Sequence, residues 1–319
     1  MTTYNFDREI DRKKTNSLKY DFAVERGRDV DVLPLWVADM DFQAPKPVLD
    51  ALQNAVSHGI FGYSEVKGEY FDALYRWFDS RFDWQPKSEW LVKTPGVVFA
   101  LAMAVRALTK EGDSVLIQPP VYYPFFEVIR DNNRKIVESP LLLTDGHYEI
   151  DFDDLEEKIA SQNVKLFLLC SPHNPVGRVW TKEELQKLGE LCDRYHVFVV
   201  ADEIHCDFAF PEHPHTIFAK ACPQLEEKMI LCTAPSKTFN LAGLQVSNIW
   251  VPGKEVRDRF KAEINAAGYS QLNALGLIAC QAAYENGGEW LEQCRAYLRE
   301  NLKVCLLYTS PSPRDLSTS

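Results

Sequence analysis

Between residues 114 and 251 the chain alternates short, wholly apolar runs with stretches of helical periodicity. Strands that are apolar throughout must be covered on both faces, and parallel sheets obtain that cover from the helices between their strands. The pattern therefore predicts an α/β fold with a mainly parallel central sheet and helices on both faces. The predicted strands are 114–118, 135–139, 165–170, 197–201, 229–232 and 246–251.

The rest of the chain is mostly helical in pattern. Apolar residues recur at helical spacing in 47–58, 70–82, 99–108, 123–132, 152–161, 181–195, 255–267, 272–284 and 289–304. Thr181 and Glu184 have capping-box spacing at the start of one of these helices. The apolar run 33–42 has two interpretations, a core strand entering a loop or a loop that lines a substrate site.

Composition limits the possible partners. The 319 residues carry a net charge of −11, which argues against nucleic acid or an anionic membrane as the main partner. The N-terminus has no signal-peptide pattern, and no apolar run approaches the length of a membrane span. The eight cysteines show no CxxC spacing, as in reduced core residues. We therefore expect a cytoplasmic protein.

Chemically useful side chains follow four of the predicted strands. The carboxyl ends of parallel strands meet at one edge of a sheet, where ligands bind, so these side chains should converge there. Each has an ordinary alternative: a core aromatic, a turn amide, a helix cap and an exposed lysine. In chain order they are Tyr122, Asn174, Asp202 and Lys237.

This inventory matches the needs of pyridoxal 5′-phosphate (PLP). PLP requires a lysine for covalent attachment, an acid for its ring nitrogen and a site for its phosphate. Asp202 would supply the acid, Tyr122 a face to stack on the ring, and Asn174 a donor to the ring's phenolate oxygen. A cis peptide is also possible at Asn174–Pro175. The candidate phosphate ligands are Thr233, Ser236 and the backbone amides of Gly96, Val97 and Val98.

Five motifs carry a family resemblance. They are Trp36–Phe42, Pro120–Pro124, Ser171–Gly177, Ala201–His205 and Ala234–Leu244. With them the chain resembles fold-type I PLP enzymes of aminotransferase class I/II, and most closely the cystathionine β-lyase or C–S lyase branch. The resemblance extends from about residue 4 to about residue 304, and it implies the PLP-dependent transferase fold, which is like that of aspartate aminotransferase.

The resemblance also implies roles for individual residues. Lys237 would bond the cofactor covalently and act as the catalytic base, and His205 would join Asp202 among the cofactor residues. Tyr63 would reach the phosphate in a neighbouring subunit, which implies a homodimer. The substrate carboxylate would lie against Val37 and Ala38, and the substrate side chain against Tyr123, a second catalytic residue.

The implied reaction is α,β-elimination of L-cystathionine or cysteine-like thioethers to a thiol, pyruvate and ammonia. An aminotransferase on the same fold is the nearest alternative, and a non-catalytic regulatory protein is a remote one. A metal site built from His205, Cys206, His213 and His215 lacks the spacing of zinc sites, so we expect no metal.

Two features depart from the wider family. Gln245 stands where many fold-type I enzymes have an arginine for the phosphate, although the lyase branch shares this glutamine. The family also continues beyond this chain, so we expect a C-terminal truncation that removes the arginine for the substrate carboxylate and weakens cofactor binding. The expected divisions are an N-terminal arm with part of the small domain (1–45), the PLP-binding domain (46–285), an incomplete small domain (286–304) and an unrelated, disordered tail (305–319).

Overall fold

The structure is a computed structural model that describes residues 3–29 and 32–309. Its strands are β1 (Leu91–Thr94), β2 (Ser114–Ile117), β3 (Lys135–Glu138), β4 (Leu142–Thr144), β5 (His147–Glu149), β6 (Val164–Cys170), β7 (Phe198–Asp202), β8 (Met229–Thr233) and β9 (Ser247–Trp250). Seven of them form the central sheet, in the order β1-β9-β8-β7-β6-β2-β3, while β4 and β5 form a separate hairpin.

Helices surround this sheet. They are α1 (Lys46–His58), α2 (Gly68–Phe82), α3 (Val97–Leu108), α4 (Pro124–Arg130), α5 (Phe152–Ser161), α6 (Lys182–Arg194), α7 (Phe218–Ala221), α8 (Pro235–Thr238), α9 (Lys254–Ala266), α10 (Ala274–Asn286) and α11 (Gly288–Thr309). The capping box at the start of α6 is confirmed, because the Thr181 hydroxyl and the Glu184 carboxylate each accept a backbone N–H of the other residue.

The predicted α/β architecture is confirmed, with one strand of opposite direction. Strands β3, β2, β6, β7 and β8 pair in parallel, whereas β9 is antiparallel to both β8 and β1. The sequence pattern did not predict β1 as a strand, nor the β4–β5 hairpin. All three strands are short; β1 alternates partly buried and buried residues, and the hairpin is exposed almost throughout, so neither has the continuous apolar run of a doubly covered strand.

The core consists of two apolar layers, one on each face of the sheet. Along β6, Phe167 and Leu169 face one layer while Leu166 and Leu168 face the other, as the two-residue period of a strand requires. Helices α2, α5, α6 and α10 cover the first layer, and α3, α4 and α9 cover the second. The central strands β6, β7, β8 and β9 are therefore buried on both faces, which leaves the ends of these strands as the place for a ligand.

The N-terminal arm forms neither helix nor strand within residues 3–29 and 32–45. Phe6 anchors it, with ring centroids 5.0 Å from Phe42 and 5.6 Å from Trp290. Of the two interpretations of 33–42, the core strand is wrong. Leu35 is 91% exposed, and the segment lies across the surface next to the Lys237 loop.

Helix α11 continues to Thr309, beyond the predicted end at 304. The start of the expected disordered tail, residues 305–309, is therefore helical. Residues 310–319 lie outside the described residues. The division into domains at 45/46 and 285/286 stays a prediction.

Candidate functional site

The carboxyl ends of three neighbouring strands form the centre of the site. In the register of the sheet, Asp202 at the end of β7 lies beside Cys170 of β6 on one side and Cys232 of β8 on the other. The loop that carries Asn174 leaves β6 at this edge, and the turn that carries Lys237 leaves β8 at the same edge. The predicted convergence of these side chains therefore follows from the strand order.

Asp202 is the buried acid of the site. It is 5% exposed, and its Oδ1 accepts the backbone N–H of Ile204 at 3.2 Å. Burial raises the pKa of Asp202 to about 7; the neighbouring Glu203 also raises it, while Lys237 lowers it. An ionised carboxylate at this position is costly unless it meets a cation.

Lys237 lies in the short helix α8, directly after β8. It is half-buried, and this burial lowers the pKa of its ammonium group. The carboxylates of Asp39 and Asp202 act in the opposite direction. The lysine is therefore more easily deprotonated than an exposed lysine, as a nucleophile or base requires, and two carboxylates are close enough to stabilise its charged form.

Two clamps hold the lysine turn. On one side, the Thr238 hydroxyl donates to Asp207 Oδ2 at 2.8 Å. Asp207 is 3% exposed, and it also accepts the indole N–H of Trp77 at 3.1 Å and lies 3.3 Å from Arg81 Nε. On the other side, Asn240 bonds to the backbone of residues 40–42. Sequence reasoning identified neither clamp, because both link segments that are far apart in the chain.

Tyr122 and Tyr123 follow β2 at the same edge of the sheet. Their ring centroids are 5.4 Å apart and the rings are tilted by 60°. Tyr122 is half-buried, and its pKa is raised by burial, by Tyr123 and by the Asp202 carboxylate, which places it close to that acid. Tyr123 is 65% exposed. One ring is thus near the buried acid and the other faces solvent.

Asn174 is half-buried, and its backbone N–H donates to Cys170 Sγ at 3.3 Å. The Asn174–Pro175 peptide bond is cis, as the sequence suggested. His205 lies in the turn after β7. Burial lowers the pKa of its imidazole to about 4, with a further contribution from the Lys237 charge, so the ring is neutral at neutral pH.

The start of α3 offers free backbone donors for an anion. No side chain caps this helix, and the first N–H groups of any helix have no partner within it. A Cβ added at Gly96 would meet no atom within 4 Å, so the space in front of this turn is open. Val98 is partly exposed and Ser236 half-buried, whereas Val97 is buried, which leaves its backbone amide as its possible contribution.

Thr233 departs from its predicted role as a phosphate ligand. It is 1% exposed, and its hydroxyl donates to the Asn248 carbonyl at 2.8 Å while accepting the indole N–H of Trp250 at 3.0 Å. A hydroxyl has a single proton, so none is left for a phosphate. Thr233 instead joins β8 to β9.

The remaining predicted residues lie on the outer side of the site. Val37 has the left-handed backbone angle φ 61° and is 39% exposed, and Ala38 is also exposed. Both directly precede Asp39, whose charge acts on Lys237. Tyr63, between α1 and α2, is 97% exposed and lies outside the buried centre.

The described residues form neither a metal cluster nor a membrane-spanning helix. Within residues 3–29 and 32–309, no group of three or more His, Cys, Asp or Glu side chains has the arrangement of a metal site. His215, from the metal alternative, is buried with its Nε2 3.3 Å from Glu203 Oε1. None of the helices in the described part of the chain combines the length and apolar character of a membrane span.

Comparison with known proteins places the chain among PLP enzymes. The family model for aminotransferase class I and II matches residues 30–307. The cystathionine beta-lyase PatB of Bacillus subtilis (strain 168) is 46% identical over 306 residues, covering 96% of this chain and 79% of that protein. Protein MalY of Escherichia coli (strain K12) is 32% identical over 301 residues, covering 94% and 76%.

Solved structures agree with these relatives. Cystalysin from Treponema denticola, which contains a pyridoxal 5′-phosphate cofactor, matches with a TM-score of 0.93 at 39% identity, covering 98% of this chain and 80% of that one. The PLP-bound C–S lyase from Staphylococcus hominis matches with a TM-score of 0.89 at 37% identity, covering 97% and 78%.

Proposed function

Because the chain belongs to the aminotransferase class I and II family, we propose that it is a PLP-dependent cystathionine β-lyase, a carbon–sulfur lyase. The substrate is a small amino acid that carries sulfur on its β-carbon. The observation that carries the proposal is the buried Asp202 at the end of β7, with Lys237 in the turn after the neighbouring strand β8, in a chain that is 46% identical to a cystathionine β-lyase.

The residues present fit the cofactor. Asp202 is a buried acid whose ionisation is costly without a cation, and a protonated ring nitrogen is such a cation. Tyr122 offers a ring face near that acid, Asn174 an amide, and the open turn at Gly96 unpaired N–H groups for the phosphate. When bound, PLP supplies an electron sink for the electron pair at the substrate's Cα.

Lys237 performs the proton chemistry of the reaction. Its Nζ would hold the cofactor covalently, and as a free amine it would accept the α-proton of the substrate. Burial favours the neutral form that can accept this proton, while Asp39 and Asp202 favour the charged form that results. We propose that Val37, Ala38 and Tyr123 line the substrate, as their position on the open side of the lysine permits.

Unlike a lyase, an aminotransferase needs a 2-oxo acid that accepts the amino group of the substrate. We expect the purified chain, supplied with PLP and L-cystathionine alone, to release pyruvate and ammonia, measured by coupled dehydrogenase assays. The Lys237→Ala variant is the control and should release neither. No pyruvate release, with conversion of L-cystathionine to its own 2-oxo acid only after an acceptor 2-oxo acid is added, would favour the aminotransferase.

We further propose that the enzyme is a cytoplasmic homodimer in which Tyr63 reaches the phosphate site of the partner subunit. The support is its 97% exposure, since a tyrosine so placed contributes little to its own subunit. A mixture of Tyr63→Phe and Lys237→Ala proteins tests this. Hybrid dimers have one site with both native residues, so refolding the two together should restore activity toward about a quarter of wild type. If the activity of the refolded mixture only equals the sum of the activities of the two separate variants, the site is not shared between subunits.

A further inference from the structure

Asn240 makes three hydrogen bonds to a segment 200 residues earlier in the chain. Its Oδ1 accepts the Met40 N–H at 2.9 Å, and its Nδ2 donates to the carbonyls of Met40 at 2.9 Å and Phe42 at 2.8 Å. All of the donor and acceptor types of one amide are therefore used on one short stretch of backbone. This arrangement fixes both the position and the orientation of that stretch.

The same asparagine is joined closely to the lysine turn. The N–H of Phe239 donates to the Pro235 carbonyl at 2.9 Å, and the N–H of Leu241 donates to the Ser236 carbonyl at 3.0 Å. These bonds close the chain around Asn240, which has the left-handed φ of 59°. A displacement of Asn240 would therefore be transmitted to Lys237, and the reverse.

Asp39 is the charged residue next to the backbone segment that Asn240 holds in place. It directly precedes Met40, its Oδ2 is bonded by Arg12, and its backbone carbonyl accepts Lys19 Nζ at 3.0 Å. Its Oδ1 is buried and has no hydrogen-bond partner among the described residues. Among the charges that act on Lys237, Asp39 contributes more than Asp202 does. Asp39 and Asn240 line the same cleft, so a carboxylate oxygen that is free to accept a proton donor stands beside the clamp on the lysine turn.

We propose that Asn240 is a positioning residue for Lys237, because it holds residues 40–42 so that the free oxygen of Asp39 faces the lysine. Asp39 then stabilises the ammonium form that Lys237 takes after accepting a proton. This role differs from that of Asp202, which serves the ring nitrogen when the cofactor is bound. The inference rests on the proposed lyase function, in which Lys237 is the base.

The direction of the effect follows from the groups around the lysine. Asp39 and Asp202 raise the pKa of Lys237, and burial lowers it; His205 also lies close to the lysine but is neutral at neutral pH. Removal of the Asp39 charge, or its displacement by loss of the Asn240 clamp, must therefore lower the pKa of Lys237. At a fixed pH near 8, more of the lysine is then neutral and reactive.

The test measures Lys237 in the cofactor-free full chain, so it does not depend on lyase activity. Acetic anhydride labels neutral amines, and mass spectrometry of the Lys237 peptide across a pH series gives the pKa of this lysine. The variants are Asp39→Asn, Asn240→Gly and the double variant, since glycine removes the amide without straining a left-handed backbone. The matched control is Asn163→Gly, an exposed asparagine with φ 51° whose position is far along the chain from the lysine turn.

The expected result is that Asp39→Asn and Asn240→Gly each lower the pKa of Lys237 and raise its labelling rate at pH 8 by about twofold or more. Asn163→Gly should leave the rate unchanged. The double variant should match Asp39→Asn alone, because Asn240 acts through Asp39.

An unchanged pKa in Asp39→Asn overturns the inference, and this variant serves as the decisive one should Asn240→Gly fail to fold. An Asn240→Gly protein that is less stable but labels Lys237 like wild type also overturns it, since the asparagine would then be merely structural. Either result leaves the lyase proposal intact, because that proposal is tested by pyruvate release from the wild-type enzyme.

Discussion

Replacement of Asp202 by asparagine should make the cofactor-free protein more stable at alkaline pH. Burial raises the pKa of this carboxyl from its ordinary value of 3.8 to about 7. Below pH 3.8 the side chain is protonated in the folded and unfolded states alike and costs nothing. As the pH rises toward 7, the unfolded chain loses the proton while the folded chain retains it, so the native state loses stability.

The size of this loss follows from the shift. At about 1.4 kcal/mol for each pH unit, the full cost above pH 7 is on the order of 4 kcal/mol, and about 3 kcal/mol of it develops between pH 5 and pH 8. Asparagine has nearly the same shape and no charge, so it avoids the cost. The free energy of unfolding of Asp202→Asn relative to wild type should therefore rise by about 3 kcal/mol over this range.

Urea unfolding of both proteins without PLP, at pH 5 and pH 8, measures this difference. The matched control is Asp72→Asn on the exposed face of α2, which removes a carboxylate that is not buried. A difference between Asp202→Asn and wild type that does not change with pH would refute the reasoning. It would mean that the native protein already compensates the Asp202 charge without a cofactor.

Three further predictions concern the clamp, the dimer and the fold. Asp207→Ala leaves the Trp77 indole and the Thr238 hydroxyl buried without an acceptor beside the Arg81 charge, and urea unfolding should show a loss of about 3–5 kcal/mol; a loss below about 1 kcal/mol would contradict this. Tyr63→Phe should change the free energy of unfolding by less than about 0.5 kcal/mol but weaken PLP binding about tenfold or more in an absorbance titration, and unchanged affinity would argue against the phosphate contact. Thr181→Ala removes the capping box of α6 and should cost about 1 kcal/mol in the same unfolding assay, whereas no loss would show that the cap is dispensable.

The buried centre of the site could be predicted from the sequence because its position follows from the strand pattern. Asp202 stands directly after one wholly apolar run and Lys237 in the turn after another, and parallel strands bring such positions together at one edge. The antiparallel direction of β9 did not disturb this, since the strands that carry both residues pair in parallel. The local sequence pattern was therefore sufficient to predict the strands that are connected by a helix covering the sheet.

The surroundings of the lysine could not be predicted in the same way. Asn240 bonds to Met40, and Asp207 links α2 to the lysine turn, in both cases through contacts between segments that share no local periodicity. Thr233 shows the opposite failure. Its position at the end of β8 suggested a role in binding the phosphate, but its hydroxyl bonds to Asn248 and Trp250 of β9. The sequence pattern does not show that β9 lies beside β8.

The central claim is that Lys237 is the covalent anchor of the cofactor. Incubation with PLP, reduction with borohydride, digestion and peptide mass mapping test it directly. The account predicts a single major pyridoxyl-modified peptide that contains Lys237, and its absence from the Lys237→Ala variant. A modified peptide from another lysine, or equal modification of the wild type and the variant, would contradict the account.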